Sequence, residues 1–143
     1  QFLAEVGGFE ESENILLILG ATNKPWDIDE AVFRTGRFDE KIYVGIPDEA
    51  ARLGILHMHL DPLPLQAGFE FKPWSDRLAG YTGSDIVGIV NDAKRTALRR
   101  SVKDGVDPQV IADDLDQAFK TIPSSVTPSL LKQYEAFGKS RFS

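Results

Sequence analysis

Three polar residues within one short stretch of the chain are suited to handling phosphate. Asn23 follows an almost purely apolar segment, Ile15–Leu19, and Arg34 and Arg37 come later in the same stretch with Gly36 between them. An amide can donate one hydrogen bond and accept another. A guanidinium is planar, permanently charged and able to bind phosphate oxygens through two parallel hydrogen bonds. The types and spacing of these residues therefore indicate phosphate chemistry.

Each of these residues also has a purely structural interpretation. Asn23 precedes a Lys-Pro pair, and this sequence favours a turn that the asparagine side chain caps. The two arginines could instead form surface ion pairs with Asp29, Asp39 or Glu40, and such pairs contribute little to stability. From the residues alone, both interpretations stay open.

The composition limits the classes of protein that fit. The 143 residues are 42% apolar and carry a formal net charge of −6, which suits a soluble globular protein and argues against nucleic acid as the main partner. A basic cluster, Lys94–Arg95 with Arg99–Arg100, has the spacing of a solvated helix face. The chain has no cysteine and two histidines, so disulfides are excluded and no metal site is expected.

The chain shows no segment that would direct it to a membrane. Its apolar runs are too short to span a bilayer, and no signal peptide is visible. We therefore expect no direct membrane insertion and a cytoplasmic location. The first residue is Gln1, which is consistent with a fragment of a longer protein.

Two segments in the first third of the chain predict strands. Asn14–Thr22 is rich in Ile and Leu, as in a parallel strand covered on both faces. Asp29 can cap a short helix that ends near Phe33, and Lys41–Val44 predicts a second strand. We place a domain boundary near Pro47, with the strands before it and helices after it.

Everything after residue 47 reads as helical, apart from a proline- and glycine-containing linker over residues 61–70. One long helix has an apolar stripe made of Ile86, Ile89, Val90, Ala93, Ala97 and Leu98. The capping and proline signals predict helices from Asp48 to about Leu60, near Trp74–Tyr81, from Thr82 or Ser84 to Gly105, from Asp107–Pro108, and from Thr127–Pro128. The fold class is thus two parallel strands with helices, followed by an all-α bundle of about four or five helices.

Four motifs, in order, resemble the second half of the AAA ATPase core and its helical lid. They are Gly20–Asn23, Gly36–Asp39, Ile46–Asp48 and Gly80–Ile86. Their order and spacing are similar to those of the family, and together they cover nearly the whole chain. The resemblance implies a remnant of the large α/β phosphate-loop NTPase subdomain over residues 1–47 and a small helical lid subdomain over residues 48–143.

The chain mixes features of two groups within that family. Pro25–Ala31 and Lys41–Val44 resemble the group that contains katanin and spastin. Gly36–Asp39 is more similar to the group of the proteasomal ATPases. The last predicted helix, within Val126–Phe137, is similar to the C-terminal helix of both, so the subfamily stays open.

The resemblance implies catalytic roles for the three polar residues. Asn23 matches the sensor-1 position, where an amide at a strand end lies between the γ-phosphate and the attacking water. Arg34 and Arg37 match the two arginine-finger positions, which reach the nucleotide of a neighbouring subunit. Phe38 and Asp39 are expected to hold this loop in place.

The resemblance also implies nucleotide contacts in the lid. His59 matches a position near the ribose or adenine, and Met58 could pack on the base, although both residues could simply end an amphipathic helix. Gly83 and Ser84 match small-residue positions, where the backbone at a helix N-terminus approaches the nucleotide. An ordinary N-cap by Ser84 is the structural alternative.

The cofactors and partners implied by the resemblance belong to an intact parent protein. That parent would hydrolyse ATP with Mg²⁺, form a homo-oligomeric ring, with a hexamer expected, and act on protein substrates. The chain itself contains no Gly-x-x-x-x-Gly-Lys-Ser/Thr phosphate loop, and Asp113–Asp114 reads as a solvated helix face. We therefore expect the chain alone not to hydrolyse ATP and assign no cofactor to it. The alternative is a non-catalytic AAA-like module that serves only in assembly.

Overall fold

The computed structural model describes residues 17–33, 37–38, 40 and 42–141, with side chains up to residue 138. The chain divides into two compact units. One unit is Gly45–Leu131, and the other is formed by Gln1–Val44 with Lys132–Ser143. The predicted domain boundary at residue 47 stays a prediction.

Five α-helices follow residue 47 among the described residues, in agreement with the mostly helical second part that the sequence predicts. None of the helices in the described part of the chain combines the length and apolar character needed to cross a membrane. The helices are α1 (Glu49–Leu60), α2 (Lys72–Arg77), α3 (Gly83–Asp104), α4 (Ala112–Thr121) and α5 (Pro128–Arg141).

Local chemistry accounts for most of the helix ends. The Asp48 carboxylate accepts a hydrogen bond from the Ala51 N–H at 2.8 Å, as expected for an N-cap. Of the two candidate caps for the long helix, Thr82 is the N-cap of α3. Gly105 ends that helix with φ of 67°, a left-handed conformation that favours glycine.

The core of the helical unit is built on one face of α3. Leu56 and Leu60 of α1 and Leu115 and Ala118 of α4 are fully buried with it. Leu98, which the apolar pattern also placed in the stripe, is 56% exposed because it lies one position beyond the buried face. Each buried large apolar side chain contributes about 1.5–3 kcal/mol relative to exposure. The buried stripe of α3 consists of Ile86, Ile89, Val90, Ala93 and Ala97.

A cation and several aromatic rings join α2 to α4. The Arg77 guanidinium carbon lies 4.4 Å from the ring centroid of Phe119 and 4.8 Å from that of Trp74. The same guanidinium pairs with Asp116 at 2.5 Å. A cation placed against aromatic faces is attracted by their negative π-clouds, so Arg77 both packs and pairs at this helix junction.

The helix predicted to start at Asp107–Pro108 begins later, at Ala112. The segment before it pairs with the linker that follows α1. The Val110 N–H donates to the Pro64 carbonyl, and the Gln66 N–H donates to the Val110 carbonyl, both at 2.9 Å. Because these backbone groups are used in an isolated parallel bridge, they are not available for the first turn of a helix.

The prediction that Asp113–Asp114 forms a solvated face is wrong for Asp114, which is 1% exposed. Its carboxylate accepts hydrogen bonds from both terminal nitrogens of Arg100 and from the Ile111 N–H. Arg100 is therefore not simply part of a solvated basic face. Asp114 combines two tasks, because it caps the N-terminus of α4 and neutralises a cation from α3.

The two predicted strands are not found in the described residues. Residues 17–22 and 42–44 lie in no strand, and the rest of both segments falls outside the described residues. Leu17 and Leu19 are 77% and 84% exposed, and Ile42 and Val44 are 83% and 84% exposed. An apolar run has the side chains of a buried strand, but a strand also needs a neighbour for its backbone hydrogen bonds.

Removing the cation of the buried pair tests its contribution to the fold. Arg100→Ala leaves the Asp114 carboxylate buried without its partner. We expect the free energy of unfolding to fall by about 2–3 kcal/mol, below the range of a wholly buried pair, because the Arg100 side chain is 30% exposed. Urea denaturation at neutral pH measures this.

Arg95→Ala is the matched control on the same helix. Arg95 pairs with Asp92 at 3.0 Å, but its side chain is 60% exposed. Its loss should cost at most about 1 kcal/mol. Equal costs for the two variants would contradict a structural role for the Arg100–Asp114 pair.

Candidate functional site

Asn23 lies at an exposed bend just before a short 3-10 helix, Pro25–Asp27. The next residue is held by the Thr22 hydroxyl, which accepts a hydrogen bond from the Lys24 N–H at 3.0 Å. The Asn23 carbonyl accepts a hydrogen bond from the Tyr134 hydroxyl. The backbone of Asn23 is thus held by contacts that do not involve its amide side chain.

The Asn23 segment approaches the arginine box, Gly36–Asp39, through Gly20 and Phe38. A Cβ atom added at Gly20 would lie 3.2 Å from the Phe38 ring, closer than most real Cβ contacts. Glycine at position 20 therefore permits a close approach between the two segments. This contact agrees with the expectation that Phe38 helps to hold the loop in place.

Arg37 is half-buried and is oriented by the second 3-10 helix, Glu30–Phe33. Asp29 caps this helix by accepting from the Ala31 N–H at 2.8 Å, as the sequence predicts. A terminal nitrogen of Arg37 donates to the Ala31 carbonyl at 2.6 Å. A guanidinium has five N–H donors, so this contact orients Arg37 and leaves further donors for an anion. Arg34, the second predicted finger, lies outside the described residues.

The lid motif forms the N-terminus of α3, with Gly83 and Ser84 as its first two residues. The Thr82 hydroxyl accepts from the Asp85 N–H at 3.1 Å, and the Asp85 carboxylate accepts from the Thr82 N–H at 3.0 Å. This reciprocal capping box satisfies two backbone donors at the start of the helix. A Cβ atom at Gly83 would lie 3.8 Å from Ile55 of α1, an ordinary contact, so packing there does not require glycine.

Asp85 also holds the connection between α4 and α5. Its carboxylate accepts hydrogen bonds from the Ser125 N–H at 3.1 Å and from the Ser125 hydroxyl at 2.9 Å. The neighbouring Ser124 hydroxyl donates to the Gly80 carbonyl at 2.8 Å. Gly80 has φ of 86°, which favours glycine. The capping carboxylate of the lid motif is therefore bonded to a segment 40 residues further along the chain.

The environment of Asp85 lowers the pKa of its carboxyl group. Partial burial would by itself raise that pKa, but hydrogen bonds from the N–H groups of Thr82 and Ser125, together with the side-chain hydrogen bonds, outweigh burial. The carboxylate form is thus favoured in the folded protein.

The two predicted base-contacting residues lie at the end of α1. Met58 is 71% exposed, and His59 is half-buried. Their neighbour His57 is engaged differently, because its ring stacks on Phe71 with centroids 4.0 Å apart and its Nδ1 lies 3.1 Å from the Asp61 carboxylate. The predicted site residues thus fall in two groups, with Asn23 and Arg37 in one unit and Met58, His59, Gly83 and Ser84 in the other.

Sequence reasoning missed two residues that shape these sites. Asp85 had a local signal, since a threonine followed three positions later by an acidic residue is a capping-box pattern. Tyr134 had no local signal, because its partner is 111 positions away in the chain. Within the described part of the chain, no three His, Cys, Asp or Glu side chains are grouped as metal ligands.

Comparison with known families places the chain in one class of protein. Residues 1–46 match the ATPase family associated with various cellular activities (AAA). Residues 68–113 match the AAA+ lid domain. The chain therefore belongs to the AAA ATPase family, and the matches contain the Asn23 and Arg37 segments in the first and the α3 N-terminus in the second.

Particular relatives come from two kinds of AAA protein. The chain is 32% identical to a katanin p60 ATPase-containing protein of Danio rerio, the A-like 1 form, over 92% of this chain and 30% of that protein. It is 39% identical to the ATP-dependent zinc metalloprotease FtsH of Staphylococcus haemolyticus, over 83% of this chain and 16% of that protein. It is 34% identical to a katanin p60 ATPase-containing protein of Strongylocentrotus purpuratus, the A1 form, over 91% of this chain and 25% of that protein. The chain thus spans less than a third of the length of these relatives.

Neutralising Asp85 tests the capping role and its pH dependence. Because the folded-state pKa is lowered, the carboxylate stabilises the fold above its unfolded pKa of about 4 and loses this contribution as pH falls through the folded-state value. We expect Asp85→Asn to lower the free energy of unfolding by about 1 kcal/mol at pH 7. The difference from wild type should shrink below about pH 4 in urea titrations.

Asp104→Asn, at the opposite end of the same helix, is the control. Removing a negative charge from a helix C-terminus should be neutral or slightly stabilising. A penalty for Asp85→Asn that stays constant from pH 7 to pH 3 would contradict the role of the ionised carboxylate.

Proposed function

We propose that this chain is the segment of a AAA-type ATPase that carries sensor 1, the arginine fingers and the lid, in a ring-forming motor that remodels or unfolds protein substrates. The observation that carries the proposal is the AAA match over residues 1–46, which contains Asn23, Arg34 and Arg37 together. The lid match, which contains Gly83 and Ser84, supports it. The expected cytoplasmic location stays a prediction.

Each residue has a chemical task under this proposal. The Asn23 amide orients the attacking water beside the γ-phosphate of its own subunit. Arg34 and Arg37 stabilise the charge that develops on the transferred phosphoryl group in the neighbouring subunit. Two features of the fold support these tasks: the backbone of Asn23 is held through its carbonyl, and Arg37 uses one of its donors on the Ala31 carbonyl.

The residues of this chain fit part of a bound nucleotide. Asn23 and Arg37 supply donors suited to a terminal phosphate, while Met58, His59, Gly83 and Ser84 would line the base, ribose and phosphate side of the lid. No phosphate loop occurs in the sequence, so ATP and Mg²⁺ would depend on other parts of the parent protein. Bound Mg²⁺ neutralises phosphate charge during transfer.

The strand segments belong to the same proposal. In an intact core, residues 14–22 and 41–44 would pair as parallel strands with neighbours that complete the sheet. The high exposure of Leu17, Leu19, Ile42 and Val44 supports this, because these apolar side chains are available for covering by such neighbours.

The printed names of the relatives share one property, which is a link to ATP. The proposal takes only this property and leaves proteolysis and zinc to the FtsH proteins. The alternative function is a non-catalytic AAA-like assembly module. The presence of Asn23, Arg34 and Arg37 in one chain favours the ATPase, because a scaffold has no physical need for all three.

Loss of the finger tests the main proposal in an intact ATPase that carries this chain. We expect Arg37→Ala to lower kcat of the assembled ring by roughly 10³-fold or more, since a finger supplied in trans contributes about that much. Steady-state phosphate release measures this. Arg95→Ala, an exposed arginine on α3, should leave kcat unchanged. Unchanged hydrolysis in Arg37→Ala would eliminate the finger assignment.

Mixing two inactive variants tests whether the finger acts in trans. A protomer with Arg37→Ala keeps its own nucleotide pocket, whereas a protomer with a mutated phosphate-loop lysine keeps its fingers. Mixed rings should regain hydrolysis at interfaces where an intact pocket meets an intact finger. Mixed rings as inactive as either parent would argue that Arg37 acts within its own protomer or only in assembly.

The chain alone provides a further test. Because its sequence lacks a phosphate loop, we expect the purified 143-residue chain to show no ATP turnover above a protein-free blank. Turnover that co-purifies with the chain and disappears in Arg37→Ala would overturn this expectation.

A further inference from the structure

The C-terminal helix α5 contacts the segment that contains Asn23. The Tyr134 hydroxyl donates to the Asn23 carbonyl. The Tyr134 ring lies 5.0 Å from the Trp26 ring, centroid to centroid, with the planes tilted by 47°. A hydrogen bond and a ring contact from one side chain thus hold both ends of the segment from residue 23 to residue 26.

A second contact on the same face of α5 reinforces this arrangement. Gly138 lies one helical turn after Tyr134, so both residues lie on one side of the helix. A Cβ atom added at Gly138 would lie 3.8 Å from the Tyr43 ring. This face of α5 therefore touches residues on either side of the arginine box, at positions 23, 26 and 43.

The direction of the hydrogen bond decides what Tyr134 can control. The hydroxyl binds the backbone carbonyl of Asn23 and leaves the side-chain amide unused. Rotation of the peptide group after Asn23 would move the Cα–Cβ bond from which the amide projects. A donor fixed to the carbonyl restricts that rotation without competing with a ligand for the amide.

We propose that Tyr134 is a positioning residue for Asn23, so that α5 sets the orientation of the sensor amide toward the attacking water. This inference rests on the proposed role of Asn23 as sensor 1. Tyr134 does not touch the nucleotide. It acts through the backbone of Asn23 and through the Trp26 ring.

Tyr134→Phe tests the proposal in an intact ATPase that carries this chain, because it removes one hydroxyl and keeps the ring against Trp26. We expect kcat to fall about 3- to 10-fold, the effect of losing one hydrogen bond that orients a catalytic group. KM for ATP should stay within about twofold, because the amide acts on the water and not on nucleotide affinity.

Hydrogen exchange provides the readout that distinguishes positioning from general destabilisation. In Tyr134→Phe, exchange should become faster in peptides covering residues 21–27 and stay unchanged in peptides covering α3. Tyr43→Phe is the matched control, since it removes a tyrosine hydroxyl from the ring that contacts Gly138. It should change neither kcat nor exchange at residues 21–27.

Two outcomes separate this inference from the proposed function. If Asn23→Ala abolishes hydrolysis while Tyr134→Phe retains wild-type kcat and exchange, the positioning role is wrong and the sensor assignment stands. If Asn23→Ala retains wild-type kcat, the sensor assignment is wrong, and the positioning role falls with it whatever the exchange data show. A rise in KM with unchanged kcat in Tyr134→Phe would also overturn the inference.

Discussion

The buried stripe of α3 is the constraint on which the helical unit depends. Five apolar side chains on one face of this helix meet the buried residues of α1 and α4. Because the stripe fixes the rotation of α3 about its axis, it also fixes where the two ends of the helix point. The N-terminal end carries the lid motif, and the C-terminal half carries the cation that pairs with α4.

Two carboxylates then connect this helix to distant segments. Asp85 caps the N-terminus of α3 and binds the connection before α5. Asp114 caps α4 and binds Arg100 of α3. In both cases a single acidic group satisfies backbone donors at a helix start and also makes a long-range contact. Such groups are costly to bury unless all their partners are present, so they favour one arrangement of the elements over others.

The segment that carries Asn23 depends on a different kind of contact. Its local turn chemistry, with Thr22 and Asp29 as hydrogen-bond acceptors, is evident in the sequence. Its attachment to Tyr134 is not, because that contact joins residues far apart in the chain. If the Asn23 amide has the proposed role, a distant helix that holds its backbone gives the C-terminal part of the chain a part in the chemistry.

The sequence by itself determined the family, through motifs in order, and most helix boundaries, through Asp48, Thr82, Gly105 and Pro128. These signals are reliable because capping groups act on backbone atoms within a few residues. The tertiary structure alone decided the burial of Asp114, the start of α4 at Ala112, the exposure of the apolar segments 17–19 and 42–44, and the contact between Tyr134 and Asn23. Those outcomes depend on which distant groups supply a hydrogen-bond partner or cover an apolar surface, and neither is encoded in local residue order.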